Sequence, residues 1–347
     1  MDLAPLQAAA RRAMPDVAWN YYQATADPGD SDADADAHAW AQFDVVPRVL
    51  RGAGLPDTAV TLPESAHRGG ATLGTPIMVS PTAAHGLAHP DAEPASGSGA
   101  AEVGALMVCS SSATTGVGTF GATMPGPWWA QVYLHRDRAR SNDYLDRAVA
   151  AGAGAIVLTV DLAPPSDAPF RKTVQSQLTI RPGNFPDLTW PQLSALYELA
   201  LRPSDVGEIA SRTGLPVWVK GVLHPDDAVR ALDAGAAGVI VSNHGRRQVA
   251  GVIPTADALG PVVRAVAGRA PVLVDGGIRS GVDVLRALAL GATLVGVGRP
   301  ALWALAAGGA DGVSALLGEL TAELAQAMAA TGATTPADVN GSMVRRR

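Results

Sequence analysis

The heptapeptide SNHGRRQ (residues 242–248) follows the apolar run GVIV, so a buried strand ends in an amide, an imidazole and two guanidinium groups. Histidine is the side chain that most readily exchanges a proton near neutral pH, and a guanidinium fork fits a carboxylate. Together, His244 and Arg247 could take a proton from an anionic substrate. A solitary strand-end histidine is more often a hydrogen-bonded structural group, but polar residues end the other apolar runs as well. They are Thr82, Ser110, Gln131 with Tyr133, Thr159 with Asp161, Lys220, Ser242, Asp275 and Arg299. Only two of the 26 basic residues are lysine, Lys172 and Lys220, so Lys220 either marks a place for a slim ammonium or stands there by chance. The stretches DGGIRSG and GVGRP could bring backbone amides, with Arg279 and Arg299, around a phosphate. In the simpler alternative these glycines only close tight turns.

Such residues need a scaffold that gathers strand ends. Eight short apolar runs occur, at 76–81, 106–111, 130–134, 155–161, 216–221, 238–243, 271–277 and 294–300. Between them lie amphipathic segments such as SNDYLDRAVAAGA, HPDDAVRALDAGA and SGVDVLRALALGA, each with a helix cap at its start. Continuous apolar strands alternating with amphipathic helices predict a parallel α/β sheet, and eight units predict a TIM (β/α)8 barrel. The C-terminal ends of its strands would form one mouth. The spacing is even except between the fourth and fifth strands, where residues 162–215 are expected to form a lid. Residues 1–75 should carry a helix, a loop and a small hairpin near AVTLPESAHRGGATLG that pack on the barrel at 76–330, with a tail at 331–347. The run DSDADADA (30–37) lacks the glycine and glutamate of a calcium loop and reads as a solvated acidic loop, so no metal is expected.

Composition narrows the function classes. A chain of 347 residues, 48% hydrophobic and 17% charged, has material for a substantial core. No uninterrupted apolar run reaches the roughly 18 residues of a membrane span. The net charge of −6 and the lack of a basic stripe interleaved with aromatics argue against nucleic acid. The single cysteine, Cys109, and a start without a secretory pattern lead to a cytoplasmic expectation. No GxGxxG fingerprint opens a first βα unit, which disfavours NAD and leaves a mononucleotide.

SNHGRRQ, the preceding VKG, DGGIRSGVDVLRALALGA and VGVGRP together resemble the FMN-dependent 2-hydroxy-acid oxidase and dehydrogenase family, from about Tyr21 to Met328. SPTAAHGLAHP and KGVLHPDDA look closest to its lactate oxidases. The resemblance implies FMN, His244 as base, Asp161 orienting it, Arg247 and Tyr21 binding the substrate carboxylate, and Tyr133 steadying the developing alkoxide. It also implies Lys220 beside flavin N1 and C2=O. Pro81, Thr82, Ala83, Ser110, Gln131, Thr159 and Ser242 would contact the flavin, and Asp275, Gly277, Arg279, Gly298 and Arg299 its ribityl and phosphate. The substrate would be an (S)-2-hydroxy acid, the acceptor O2 with release of hydrogen peroxide, and the assembly a homotetramer.

Two departures stand out. The family's second substrate arginine falls at Ala168, so either Arg171 or Lys172 replaces it or that guanidinium is missing. Ser112 replaces a bulky aromatic of glycolate oxidase, and Tyr197 matches a tyrosine that closes over lactate. Both leave open a larger or modified amino or hydroxy acid, or a dehydrogenase using another acceptor. A non-catalytic flavin scaffold would be expected to lose at least one of these polar residues.

Overall fold

The computed structural model describes residues 2–26, 34–52, 54–163 and 177–347. Arg171, Lys172 and Ala168 lie outside them. A short strand, β1 (Phe43–Val45), precedes an antiparallel hairpin of β2 (Val60–Leu62) and β3 (Ala71–Leu73). Eight parallel strands then close a barrel: β4 (Ile77–Val79), β5 (Leu106–Cys109), β6 (Trp128–Val132), β7 (Ile156–Thr159), β8 (Val217–Val222), β9 (Gly238–Val241), β10 (Val272–Asp275) and β11 (Leu294–Val297). The ring closes through β11 and β4, with Val295 opposite Ile77. All eight apolar runs are barrel strands, as expected from their composition. The third begins earlier than the sequence suggested, at Trp128, because Trp129 fills the barrel interior.

Alternation along a strand sends every second side chain inward. Met78, Val108, Trp129, Val157, Trp218, Ile240, Leu273 and Leu294 form the apolar interior layer, with Trp129 and Trp218 stacked at 4.9 Å. Leu62, Ala66 and Leu73 of the hairpin close it from the N-terminal end. Two residues further along each strand, the same inward face carries Ser80, Ser110, Gln131, Thr159, Lys220, Ser242, Asp275 and Gly296. The period of two therefore places one polar ring directly above one apolar layer.

Among the described residues up to 41 there are three helices rather than one, Ala4–Ala13, Asp16–Gln23 and Ala35–Ala41. The helix Ser204–Thr213 packs on β8 and on the helix Arg138–Ala150, so it is the outer helix of its own barrel unit and not part of a lid. The lid expectation then narrows to the residues before it, which include the helix Trp190–Ala195. The long helix Arg299–Thr331 is apolar enough by length and composition to cross a membrane. It is bent at Gly308–Gly309, and it packs against the helices Ala92–Glu102, Ala4–Ala13 and Gly281–Ala289. The final strand, β12 (Val344–Arg346), pairs with β1, so the segment expected as a tail is stitched to the N-terminal region.

Candidate active site

The polar ring floors a cavity of about 370 Å³ at the C-terminal mouth. Its wall includes Tyr21, Pro81, Thr82, Ala83, Tyr133, Thr159, Tyr197, Lys220, His244, Arg247, Asp275, Gly277, Arg279, Gly298 and Arg299. The expected site residues thus converge. Ser110, Gln131, Ser242 and Asp161 stand just behind that wall: Ser110 Oγ donates to Gln131 Oε1 (3.1 Å) and Gln131 Nε2 to Thr159 Oγ1 (2.9 Å). Lys220, buried, donates to Ser242 Oγ (2.6 Å) and pairs with Asp275 (3.1 Å).

His244 Nδ1 lies 2.8 Å from Asp161 Oδ1, and its Nε2 is 3.3 Å from Tyr133 Oη. Burial pushes the Asp161 carboxyl up, but the His244 imidazole and the Lys220 ammonium together hold it below the usual carboxylate value. It is therefore charged at neutral pH, and its Oδ2 is buried with no hydrogen-bond partner among the described residues. Tyr133 moves the other way, pushed well up by burial and by Tyr197 and Asp161, so it stays a neutral donor. The arrangement is a carboxylate-anchored imidazole facing a phenol across the cavity floor.

Arg247 Nη1 donates to the carbonyls of Tyr21 (2.7 Å), Tyr22 (3.2 Å) and Ala24 (3.2 Å), and the guanidinium lies over the Tyr21 ring at 5.1 Å. The N-terminal segment thereby locks the guanidinium against the cavity. Arg299 donates to Gly245 O (2.6 Å) and is brought down to about 10 by burial and the neighbouring charges of Arg247 and Arg279. Three crowded cations of this kind call for an anion. The glycines here present backbone without side chains, and at Gly296 a Cβ would lie 2.3 Å from Ser80 Oγ. Ser80 Oγ is itself buried and unpartnered among the described residues. A polar floor with an orphaned hydroxyl, an ammonium and an arginine cluster has the chemistry to hold a flavin mononucleotide.

The turn carrying the imidazole is strained. His244, Gly245 and Arg246 all have positive φ (58°, 64° and 62°). A non-glycine residue there costs on the order of 1–3 kcal/mol. The structure holds it with Ser242 Oγ accepting from His244 N (3.1 Å), Asn243 Oδ1 from Gly245 N (3.1 Å) and Arg246 O from Ala26 N (2.8 Å). Arg246 is half-buried and donates to Val252 O (3.1 Å).

Several contributors escaped the sequence reading. Ser80 was detectable by counting two residues on from Met78. Behind Thr82, a buried relay joins its hydroxyl to His85 Nε2 (2.6 Å) and His85 Nδ1 to Ser96 Oγ (2.8 Å). Asp34 and Asp36, read as part of a solvated acidic loop, are not free in water: Asp34 pairs with Arg279 (2.9 Å), and Asp36 is buried at 6% exposure against Asn243. Ser112 Oγ lies 2.8 Å from Tyr197 Oη, and the Tyr197 ring is 4.8 Å from Tyr133, so the lid segment reaches the site.

Comparison with known proteins agrees with this geometry. Residues 10–346 match the family model for FMN-dependent dehydrogenases. The chain is 36% identical over 345 residues to an L-lactate oxidase of Lactobacillus jensenii, spanning 97% of this chain and 83% of that protein. It is 37% identical to glycolate oxidase 1 of Zea mays over 96% of this chain and 92% of that one. Among solved structures, a lactate oxidase of Pediococcus acidilactici superposes with a TM-score of 0.91 at 33% identity, over 100% of this chain and 96% of the other. A mandelate oxidase superposes at 0.90 and 35%, over 99% and 98%. A match that runs from the first helix to the last strand, with relatives this similar along their lengths, makes this chain a member of the FMN-dependent dehydrogenase family, whose flavoenzymes oxidise 2-hydroxy acids.

Proposed function

We propose that this protein oxidises a 2-hydroxy acid with a side chain larger than methyl, with His244 as the base and O2 as electron acceptor. The observation that carries the reading is the His244–Asp161 pair, which faces Tyr133 beside the locked Arg247 in one cavity. Arg247 and Tyr21 would seat the substrate carboxylate, and Tyr133 would donate to the hydroxyl oxygen as negative charge grows on it. His244 takes up the proton, and Asp161 stabilises the imidazolium that results. When bound, FMN supplies the acceptor for the electron pair that leaves the substrate. Lys220, Ser110, Gln131, Thr159, Ser242 and the segment Pro81–Ala83 would hold the ring, while Asp275, Gly277, Arg279, Gly298 and Arg299 would hold the ribityl chain and phosphate.

The larger side chain is supported by the cavity wall, which continues past Tyr197 to Trp190, Ser194 and Leu199, and by the small Ser112. A related mandelate oxidase is described with (S)-mandelic acid, an acid of that size. O2 rests on the oxidase names of the relatives, which also favour hydrogen peroxide as the reduced product. A homotetramer in the cytoplasm completes the reading. The test is anaerobic bleaching of the flavin by glycolate, lactate and mandelate, followed by air and peroxide detection. Bleaching by mandelate above lactate, with peroxide on aeration, is the expected result, and a flavin that none of the three reduces would overturn the reading.

A further inference from the structure

We propose that Asp36, on the N-terminal helix Ala35–Ala41, is a positioning residue that fixes the orientation of the Asn243 amide and through it the turn bearing His244. The inference rests on the reading of His244 as the base. Both carboxylate oxygens of Asp36 accept from Asn243 Nδ2, at 2.8 and 3.0 Å, and one also accepts from Thr255 N at 3.2 Å. The three groups are buried, and the helix is pinned nearby by Trp40 Nε1 donating to Gly276 O at 2.8 Å.

The chemistry of the pair gives the contact its direction. Burial pushes the Asp36 carboxyl up, but both its oxygens accept from N–H donors, which hold it as an acceptor facing the NH2 side of the asparagine amide. The amide oxygen is then forced the other way, toward Gly245 N at 3.1 Å. Were the amide flipped, NH2 would meet N–H in the middle of three successive left-handed residues, and the turn would lose a contact that holds it. Asp36 never touches the imidazole. Together with Ile253 O, which also accepts from Asn243 Nδ2 (3.3 Å), it selects between two amide orientations that fill the same volume, and only one supports the His244 backbone. A carboxylate 207 residues away in sequence thus serves as part of the base's mounting.

A reciprocal exchange tests this. In Asn243→Asp, two carboxylates face each other in a buried site, and flavin reduction by the substrate should slow at least 100-fold. In Asp36→Asn the partner still fits but no longer dictates the flip, and a loss of about tenfold is expected. In the double variant Asp36→Asn/Asn243→Asp the carboxylate at position 243 accepts from Gly245 N and from the amide at position 36, whose oxygen turns to Thr255 N, while Ile253 O loses its donor. The double variant should recover part of the rate lost in Asn243→Asp. Each holoenzyme is also followed by the 15N signals of His244 in histidine-labelled protein, which report its environment without turnover. Those signals should shift in both single variants and return in the double. A double variant no better than Asn243→Asp in both rate and signal would overturn the proposal, as would Asp36→Asn with parental rate and signal. If no hydroxy acid reduces the parent flavin, the catalytic reading fails while the histidine signals still decide the positioning role.

Discussion

Replacing Asp161 with asparagine removes one charge beside His244 and little else. The amide oxygen can still accept from Nδ1 at the 2.8 Å separation seen for the carboxylate, so the imidazole keeps its tautomer. What disappears is the attraction between the carboxylate and the imidazolium formed when the base takes its proton. Two unit charges with centres about 4 Å apart at an effective dielectric near 20 interact by about 4 kcal/mol. The Lys220 ammonium, which also acts on Asp161, and water in the cavity lower that figure. A loss of roughly 2.7–4 kcal/mol then corresponds to a 10²- to 10³-fold slower reductive step. The assay is anaerobic stopped-flow bleaching at saturating substrate, with flavin content measured for each preparation. A fully flavinylated Asp161→Asn enzyme that bleaches within about threefold of the parent rate would refute the role of this charge.

Arg247→Lys should raise KM about 10- to 100-fold with a smaller change in limiting rate, because one ammonium cannot serve three backbone carbonyls and a carboxylate together; a steady-state comparison with one good substrate checks it. Gly221→Ala should cost about 2–3 kcal/mol in a denaturant midpoint and also slow flavin reduction, since φ there is +104° and the new Cβ would lie 2.5 Å from Asp161 Cβ. His135 is held down to about 4 by burial and by Arg140, so the folded protein keeps it neutral while the unfolded chain binds a proton below pH 6.5. Its contribution is present above pH 6.5 and is lost as pH falls toward 4, about 2 kcal/mol between pH 7 and 5; His135→Gln should flatten that part of a stability-versus-pH curve, and an unchanged slope would contradict the assignment.

The barrel was legible because each strand is a short apolar run ending in a polar residue, and that pattern survives without any tertiary information. The site residues on strand ends were legible for the same reason, from Thr82 to Arg299. Asp36 was not, because its neighbours Asp30, Asp32 and Asp34 make it look like one of a solvated series, and only the folded chain reveals a buried amide facing it. The setting of Arg246 was not legible either, since only the folded chain reveals its left-handed backbone tied to Ala26. Boundaries also depended on packing, as at β6, where Trp128 belongs to the strand because its neighbour Trp129 is needed inside the barrel.

The contacts that tie the N-terminal segment to the cavity rim span most of the chain. Arg247 reaches Tyr21 across 226 residues and Arg299 reaches Tyr22 across 277, while β12 pairs with β1 near the N-terminus. During synthesis, the segment carrying Tyr21 emerges long before the strands that it must meet, and it waits without its partners until the eighth strand has closed against β4. Such separation slows folding, since loop closure precedes any reward from the contact. It also means that Tyr21 and Tyr22 can meet Arg247 and Arg299 only after nearly the whole barrel has been made. A chain cut short before β11 would accordingly lack both Arg299 and the strand that pairs with β4 to close the ring.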